Sequence, residues 1–545
     1  MKKINLMLSL LLIVTIGSPS LLAQQRIIEV VPKPTDLSEK EAAALTTFIK
    51  TYDVYEIDAP YLHQQIKAYR TFFDLSFTFQ DQPAWNITLS ERNLRTKDYR
   101  IIDRTENGPV EVKPHPIHTY QGFNDRGEQV RMNITKDQIR GYILGQESVL
   151  NIVPLSAFLQ TSAPNLFVVF QGIDYLEFVG KNCGVTEEME LHHLQHSKLI
   201  DGSTETVTSG CSVVDLATDA DFEYFQEYGS VATATVRIEG DINLMEGLYQ
   251  DQIGITFALV FQRVWSTSAD PYDATGLNVA VQEVVDEWET NMTGVNRDLV
   301  HMFSGRNHGG LLGQVQALGT VCANPTESYG FSVVTPMSHE VVAHEIGHNF
   351  NGMHGDATGC GWFGKPTLMC PSPPINLNFS SNSVSTITSF VNGNCGCLVQ
   401  CCPLVLNFPF RDSYEGALGA NWTQDGGDDL DWSFGTGSTP SFNTGPSAAF
   451  NGNTYLFIES SSPNNPGKEA NLVSSCLDLT GEPQPVLTFA YHLYGNTMGT
   501  LNVQVSTDVG ATWTTIWEET GDQGDKWRTA YVPLGNFENE VIQIR

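Results

Sequence analysis

The stretch HEIGHNFNGMHGD, which begins at His344, limits what the chain can fold into more tightly than any other part of it. On an α-helix, His344 and His348 lie about one turn apart on the same face, so both can reach one metal ion. His354 can join them only if the helix stops and the chain reverses. Asn351 and Gly352 supply that break, because asparagine is the residue that best tolerates positive φ after glycine. The pattern therefore predicts a helix, a tight turn and a three-histidine metal site.

The residue types in this stretch favour zinc as the metal. Three neutral imidazoles leave a tetrahedral zinc ion with one open position for water, and zinc lowers the pKa of that water. Glu345 stands beside the ligand face, where it can take the proton as a general base. Two histidines four residues apart occur by chance on many helices, so His354 decides the prediction. We expect His344, His348 and His354 to bind one zinc ion, with Glu345 as the base.

The stretch and its surroundings resemble a known family. HEIGHNFNGMHGD resembles the metzincin motif HExxHxxGxxH, and its flanks resemble the adamalysin (reprolysin, ADAM-like) branch. The resemblance implies the α/β catalytic domain of a zinc endopeptidase, with a methionine turn beneath the metal. TLMCPS places that turn at Met369, although a methionine by itself is more often a core residue. Asn351 stands where the family has glycine, and Asp356 comes one residue later than the family's aspartate; neither change touches the ligands or the base.

The same resemblance extends to both sides of the motif. DLVHMFSGRNHGGLLGQVQALGTVC resembles the segment whose edge strand, here from residue 313 to about residue 321, pairs antiparallel with an extended substrate. The predicted substrate-binding residues are Gly313, Gln314, Val315, Gln316, Ala317, Leu318 and Gly319. By analogy Cys322 bonds to Cys395 or Cys397, and Cys360 to Cys370, although sequence does not fix disulfide connectivity.

One cysteine lies apart from the other nine. Cys183 precedes a group that runs from Cys211 to Cys476, and its context GKNCGVTEEM resembles the cysteine switch of adamalysin propeptides. The resemblance implies that a thiolate, a good zinc ligand, takes the fourth metal position and keeps the enzyme latent. A free thiol, or a partner for Cys211, is the alternative. We expect a zymogen whose propeptide is residues 24–205, with the histidines of LHHLQH as a solvated stretch of it.

The N-terminus predicts export. MKKINLMLSLLLIVTIGSPSLLAQQ has two lysines, an apolar run and a small residue before a polar stretch, which is the layout of a signal peptide at residues 1–23. No later segment is apolar for long enough to span a bilayer, and ten cysteines suit an oxidising compartment. A formal net charge of −32 argues against nucleic acid as a partner. We expect a secreted, extracellular protein.

Within residues 206–402, the predicted catalytic domain, strand and helix patterns alternate between about residues 230 and 290. VATATVRIEG alternates apolar and polar residues and predicts a half-buried strand, and ITFALVFQRVW predicts a second strand. An apolar stripe at helical spacing follows, formed by Val281, Val284, Val285 and Trp288. The alternation predicts an α/β domain. Residues 24–205 instead show strand and loop signals and predict a mainly β domain.

Residues 403–545 are rich in Gly, Ser, Asn and Asp, with short alternating runs typical of an all-β sandwich. FRDSYEG, NWTQDGGDDLDW, YLFIESS and LTFAYHLYGNTMGTLNVQV resemble a MAM domain, which implies a jelly-roll-like sandwich that contacts a matrix, a cell surface or a substrate. The chain stops at VIQIR, before the family's closing strands, which predicts a fragment or an incomplete domain. Aromatic residues expected in the core and turns are Trp432, Tyr491 and Trp527. Carboxylates that could contribute to a structural Ca²⁺ site are Asp412, Asp428 and Asp429.

The sequence therefore predicts a multidomain protein in which a mainly β propeptide domain precedes an α/β metzincin catalytic domain and a jelly-roll-like MAM sandwich. The expected function is zinc-dependent hydrolysis of peptide bonds in extracellular proteins or peptides. One alternative is a non-catalytic adhesion protein with a relict metzincin fold, and the intact ligands and base count against it. Another is a pappalysin-like metzincin, which shares the histidine motif but not the KNCGVT and NCGCL flanks.

Overall fold

A computed structural model describes residues 10–12, 27–190 and 211–545, with short gaps. The gaps are residues 68–71, 80–83, 146–147, 177–181, 187, 323–324, 358–359, 361–366, 372–376, 395–398, 402–403, 406–407, 409–410, 417, 420, 440, 462–463, 465–466, 480–483, 508–509, 511 and 539. Most of the predicted signal peptide, the LHHLQH stretch and the predicted propeptide boundary lie outside the described residues. The chain divides into two compact units, one of residues 23–399 and one that contains residues 400–545 and residues 10–12.

The N-terminal segment, residues 27–190, is built around a ten-stranded sheet. In sheet order its strands are Ile27–Val30, Phe72–Phe77, Trp85–Glu91, Thr119–Asn124, Gln129–Ile134, Ile139–Leu144, Val149–Pro154, Leu166–Gln171, Asp53–Glu56 and Lys33–Pro34. Neighbours are antiparallel except the first pair, which is parallel. Two helices, Glu39–Leu45 and Ala59–Ile66, accompany the sheet. The segment is mainly β, as predicted, and its role as a propeptide stays a prediction.

A second sheet carries the motif region. In order its strands are Asn182–Cys183, Leu311–Val315, Tyr329–Val333, Leu299–Ser304, Cys211–Ala220, Ile255–Trp265, Arg95–Thr105 and Gly108–Val112. The four strands from Tyr329–Val333 to Ile255–Trp265 are parallel to one another. The strands at both ends of this order come from the N-terminal segment. Residues 23–399 therefore form one compact unit in which the N-terminal segment extends the sheet on both sides.

The helices of this region are Phe222–Tyr228, Val231–Gln252, Leu277–Asn291, Ser338–Asn349 and Ser381–Asn394. Short 3-10 turns occur at Leu155–Ala157, Gly172–Asp174, Pro325–Glu327 and His354–Asp356. The predicted strand ITFALVFQRVW is confirmed as Ile255–Trp265, and the predicted apolar stripe lies on the helix Leu277–Asn291. Among the described residues, no helix is both long and apolar enough to cross a membrane.

The prediction of a strand at VATATVRIEG is wrong. These residues open the central helix, Val231–Gln252, which begins at Ser230, whose hydroxyl accepts a hydrogen bond from Thr233 N. The alternation that suggested a strand lasts only one turn or two. Beyond it, Ile238, Ile242 and Met245 recur at helical spacing and are fully buried.

The polar residues of the central helix explain why its pattern misleads. Glu239, Asp241, Asn243 and Glu246 are all buried, because the N-terminal segment covers the face that would otherwise meet solvent. Asn243 Nδ2, for example, donates to the carbonyl oxygen of Met132. A helix buried on two sides has no solvent face, so its sequence lacks a clear apolar–polar period.

The C-terminal unit contains only strands and one 3-10 turn among its described regular elements. The strands are Leu10–Leu12, Leu404–Val405, Arg411–Asp412, Trp422–Gln424, Ser433–Thr436, Thr454–Phe457, Leu472–Ser474, Cys476–Asp478, Val486–Tyr491, Thr500–Ser506, Thr514–Thr520, Arg528–Pro533 and Val541–Ile544, and the turn is Gly535–Phe537. The short strand Val399–Cys401 spans the boundary between the two units. Tyr491 is buried in the core, which Trp432 contacts, and the Trp527 ring packs on Tyr455 and His492. The all-β prediction is confirmed for these residues, and the jelly-roll closure stays a prediction.

Candidate metal centre

The motif helix, Ser338–Asn349, is buried along its whole length and carries two of the three histidines. It ends where the sequence predicted a turn. Asn351 has a φ of 70°, in the left-handed region, and Gly352 N donates to the carbonyl oxygen of Gly347 across 2.8 Å. This turn reverses the chain and returns His354 to the helix. The tolerance of asparagine for positive φ therefore accounts for a motif without the usual glycine.

The three predicted histidines converge on one point. His348 Nε2 lies 3.1 Å from His344 Nε2 and 3.2 Å from His354 Nε2, and 3.3 Å separates His354 Nε2 from His344 Nε2. The other ring nitrogen is fixed in two of the rings, because Nδ1 of His344 lies 2.7 Å from the carbonyl oxygen of Leu368 and that of His348 lies 2.7 Å from the carbonyl oxygen of Gly352. Carbonyl acceptors at Nδ1 leave the Nε2 lone pairs turned towards the shared point.

Cys183 completes this group from the N-terminal segment. Its sulfur lies 3.6 Å from His348 Nε2 and 3.5 Å from Glu345 Oε2, and among the described cysteines it is the free one. The four candidate donor atoms, one sulfur and three nitrogens, all lie within 4.8 Å of one another. Cys183 therefore does not pair with Cys211, which was one of the alternatives that the sequence left open.

The spacing of these donor atoms fits a tetrahedral zinc ion. Bond lengths of about 2.05 Å to nitrogen and about 2.3 Å to sulfur place tetrahedral ligand nitrogens about 3.3 Å apart, and a nitrogen and a sulfur about 3.6 Å apart. The observed nitrogen separations of 3.1 to 3.3 Å and the separation of 3.6 Å between Cys183 Sγ and His348 Nε2 match those values. The residues present therefore suit zinc, whose preferred ligands are imidazole and thiolate.

Burial sets the protonation of the site. It lowers the pKa of His344 to about 4, and, together with the nearby His344 ring, that of His354 to about 3. Burial also holds the pKa of His348 well below its ordinary value. All three imidazoles are therefore neutral near pH 7, the form that binds a metal.

The predicted base, Glu345, is buried, and its carboxylate lies against a glycine of the neighbouring strand. Burial raises the pKa of Glu345 to about 8, which suits a group that must accept and release a proton. Its carboxylate touches the strand Leu311–Val315 at Gly313, where a Cβ atom would lie 2.5 Å from Glu345 Oε1. Glycine is therefore required at position 313 for this approach, a role that the sequence reasoning did not assign to it.

Met369 lies beneath the histidines. It is fully buried, and its sulfur occupies the space that a Cβ atom on Gly347 would need, with only 2.4 Å between them. The preceding residue, Leu368, supplies the carbonyl oxygen next to His344. Cys360 and Cys370 form the predicted disulfide. Cys322 is also disulfide-bonded, and its candidate partners lie outside the described residues.

The strand predicted from residue 313 to about residue 321 is shorter in the structure, and substrate binding by its residues stays a prediction. The strand ends at Val315, and the chain then turns, so that Gly319 N donates to the carbonyl oxygen of His348 across 2.9 Å. Gln316, Ala317, Leu318 and Gly319 lie outside the strand. The strand Leu311–Val315 is also covered, because Asn182–Cys183 pairs with it in parallel. Nothing in the sequence indicated that the residues after Val315 turn back and hydrogen-bond to the end of the motif helix.

Glu190 contacts the third histidine, His354, and the sequence did not predict this contact. Its Oε1 accepts a hydrogen bond from His354 N across 2.7 Å and lies 3.4 Å from His354 Nδ1. The N-terminal segment therefore holds the third histidine as well as supplying the thiol. Glu190 directly follows the stretch VTEEM, and its position in the sequence gave no spacing signal for this role.

The shifted aspartate, Asp356, and the carboxylates of the predicted calcium site make hydrogen bonds and ion pairs within the protein. The carbonyl oxygen of Asp356 accepts from Ser380 Oγ at 2.6 Å, while its Oδ2 is buried without a partner among the described residues. In the C-terminal unit, Asp429 pairs with Lys468 at 2.7 Å, and Asp412 accepts from Tyr414 N at 2.9 Å. Asp428 accepts from Asn471 N. These carboxylates stabilise turns, and a calcium site stays a prediction.

Comparison with known families agrees with this geometry. Residues 236–355 match the metallo-peptidase family M12B, reprolysin-like, and the chain therefore contains a metallopeptidase domain. Residues 413–545 match the MAM domain, meprin/A5/mu. In particular, the chain carries a reprolysin-like metallopeptidase domain followed by a C-terminal MAM domain.

Two curated relatives each match about a quarter of this chain. The human MAM domain-containing glycosylphosphatidylinositol anchor protein 1 is 37% identical over 129 residues, which is 22% of this chain and 13% of the relative. Its chicken counterpart is 30% identical over 163 residues, 28% of this chain and 17% of the relative. Among solved structures, metalloproteinase-II from Bacteroides fragilis covers 60% of this chain and 94% of its own, with 11% identity and a TM-score of 0.35. The chain thus spans a small part of its curated relatives.

Proposed function

We propose that this chain is a secreted zinc endopeptidase of adamalysin-like type, made as a latent zymogen, that hydrolyses peptide bonds of extracellular proteins. The observation that carries the proposal is the group of four donor atoms, in which the three motif nitrogens have the spacing of tetrahedral zinc ligands and the Cys183 sulfur lies 3.6 Å from His348 Nε2. A relict fold would have no need to keep the ligands, the base and a blocking thiol together.

His344, His348 and His354 would hold the zinc ion, which when bound supplies a Lewis acid for the substrate carbonyl and a water of lowered pKa. Glu345 accepts the proton of the attacking water and passes it to the leaving amine. Burial raises the pKa of this carboxyl, so its ionised form is a stronger proton acceptor than an exposed carboxylate. The motif helix and the carbonyl oxygens of Leu368 and Gly352 keep the imidazoles in place.

Latency follows from the position of the strand Asn182–Cys183. Its sulfur lies where the fourth zinc ligand would be, and Gly184 N donates to the carbonyl oxygen of Gly313 across 2.7 Å. A substrate that pairs with the strand Leu311–Val315 needs the same main-chain groups. The N-terminal segment must therefore leave this strand before a substrate can bind, and we assign the propeptide to residues 24–205.

The first test separates an enzyme from a relict. The chain freed of its N-terminal segment should contain one zinc ion and cleave casein or members of a peptide library, and a chelator should abolish the cleavage. The Glu345→Ala variant should keep the zinc and lose the cleavage, because it removes the base and none of the ligands. Full hydrolysis by this variant would refute the mechanism, and a protein without zinc would favour the adhesion alternative.

The second test addresses latency. The full-length Cys183→Ala variant should show earlier or spontaneous activity, because without a thiol at the fourth position the N-terminal segment is held less firmly and leaves the strand Leu311–Val315 more readily. The Cys183→Ala/Glu345→Ala double variant is the control and should be inactive, which would assign the activity to this site. Equal latency of Cys183→Ala and wild type would contradict the switch assignment and leave the zinc proposal untouched.

The MAM domain supports a role in placing the enzyme. The human and chicken relatives are named as glycosylphosphatidylinositol anchor proteins. For this chain we assign the domain a contact with a matrix, a cell surface or a substrate. Deleting residues 403–545 should leave cleavage of short peptides unchanged and slow cleavage of a large matrix protein. A cleavage-site preference determined on peptides would also separate the adamalysin assignment from a pappalysin-like one.

A further inference from the structure

A cavity of about 350 Å³ lies between the N-terminal segment and the first half of the central helix, away from the metal centre. The charged side chains in its lining are Lys67, Lys136, Asp137, Arg140 and Arg237. Four of these five are basic, although the chain as a whole has a formal charge of −32. Such a local excess of positive charge attracts an anion.

The two arginines of the cavity come from different parts of the fold. Arg140 lies on the strand Ile139–Leu144 of the N-terminal segment, and Arg237 lies on the central helix. Each is only 7% exposed. Asp241 pairs with Arg237 through an Nε to Oδ2 contact of 2.9 Å, so one carboxylate faces two buried guanidinium groups. Asp241 is shared, because its charge also acts on Arg140.

Two buried side chains in the lining have a nitrogen without a partner. Arg140 Nε and His63 Nδ1 accept or donate no hydrogen bond within the described part of the chain, although His63 is only 8% exposed. Burial and the nearby Arg237 lower the pKa of Arg140 to about 9, while Asp241 acts in the opposite direction. A buried polar group without a hydrogen-bond partner destabilises the folded state. A ligand that supplies acceptor oxygens would remove this destabilisation.

We infer that this cavity is a binding site for an oxyanion, a phosphate, sulfate or carboxylate group, that joins Arg140 of the N-terminal segment to Arg237 of the central helix. Planar guanidinium groups bind such groups through paired hydrogen bonds. Lys67 and Lys136 are exposed at the mouth of the cavity, where they attract the anion. The anion neutralises two like charges that otherwise face each other across the junction.

The site has a consequence for latency, which rests on the proposed function. An anion that bridges the two arginines stabilises the contact between the N-terminal segment and the catalytic part, so it slows activation. The binding itself needs no peptidase activity. Failure of binding therefore leaves the zinc mechanism untouched, and failure of the zinc mechanism leaves the anion site untouched.

Binding is tested by isothermal titration of the full-length latent chain with inorganic phosphate, sulfate or succinate at constant ionic strength. We expect saturable binding of one anion per chain, and the order of the three affinities distinguishes tetrahedral from carboxylate ligands. The Arg140→Gln variant should weaken binding about tenfold, as expected for a lost hydrogen bond to a charged group. Absence of saturation with all three anions would overturn the inference.

Two variants at exposed lysines test the site without changing a buried residue, because Arg140→Gln alone could weaken binding by disturbing the fold. Lys67→Gln removes a charge at the mouth and should weaken binding by up to about fivefold. Lys50→Gln removes a charge from an exposed position of the same segment outside the lining, and it should leave the affinity unchanged. If all three variants bind phosphate as wild type does, the anion binds elsewhere and the assignment is wrong.

Discussion

The packing of Met369 under the motif helix gives a prediction in which two effects on stability have opposite signs. In the Gly347→Ala variant the new Cβ atom would lie 2.4 Å from Met369 Sδ and 3.1 Å from its Cε. Alanine in a helix is more stable than glycine by about 0.5–1 kcal/mol. Overpacking a buried site costs about 1–3 kcal/mol, and Met369 is fully buried, so its sulfur cannot move into solvent. We expect the clash to exceed the gain and the variant to be destabilised.

Removing the methionine should reverse the sign. Met369→Ala alone leaves a cavity and costs about 2–5 kcal/mol. In that background the methyl group added by Gly347→Ala has room, so this substitution should now stabilise the protein by about 0.5–1 kcal/mol, the helix-propensity gain. The two substitutions should therefore be coupled by about 1–3 kcal/mol.

The assay is urea denaturation of the zinc-loaded full-length chain, carried out in the Glu345→Ala background to prevent self-digestion. Gly355→Ala is the matched control, because Gly355 lies in the adjacent loop, its φ is outside the left-handed region, and an added Cβ atom would have no neighbour within 4 Å. It should change stability by less than about 0.5 kcal/mol. If Gly347→Ala stabilises the native background as much as the Met369→Ala background, Met369 does not support the helix as described.

Three further predictions concern the base and the contact of the N-terminal segment. Gly313→Ala should lower kcat of the processed enzyme while zinc content stays at one, because the new methyl group would displace the Glu345 carboxylate; unchanged kcat would contradict the contact. Glu246→Gln should destabilise the full-length chain by about 3–5 kcal/mol in a thermal melt, because Arg92 and Arg131 would remain buried without their carboxylate; a melting temperature equal to that of wild type would rule this out. Burial, with smaller contributions from His115 and His63, lowers the pKa of His118 to about 4 from an ordinary 6.5. The unfolded chain therefore binds a proton that the folded chain does not, so stability should fall as pH drops from about 6.5 to about 4, and His118→Asn should lose less melting temperature over that range than wild type.

The residues of the metal centre could be predicted because the motif encodes them locally. His344 and His348 are one helical turn apart, and the positive φ at Asn351 follows from the intrinsic tolerance of that residue. The packing of Met369 was harder to predict, because it depends on position 347 being a glycine, which leaves room for the methionine sulfur. Glu190 could not be found at all, because its contact with His354 joins segments that no spacing rule connects.

The central helix shows what limits such prediction. Its polar residues look misplaced for a buried helix until the N-terminal segment is considered, since Arg95 reaches Glu239 with Nε to Oε1 at 2.7 Å across 144 positions of the chain. The pattern of one element is therefore set by a partner that is distant in sequence. If the N-terminal segment is removed on activation, Glu239 and Glu246 lose their arginine partners and return to water, where a carboxylate is well solvated. The central helix must be stable both with and without the N-terminal segment, so the face that the segment covers needs polar residues. These polar residues misled the sequence-based prediction, and they are what we expect beneath a segment that is removed.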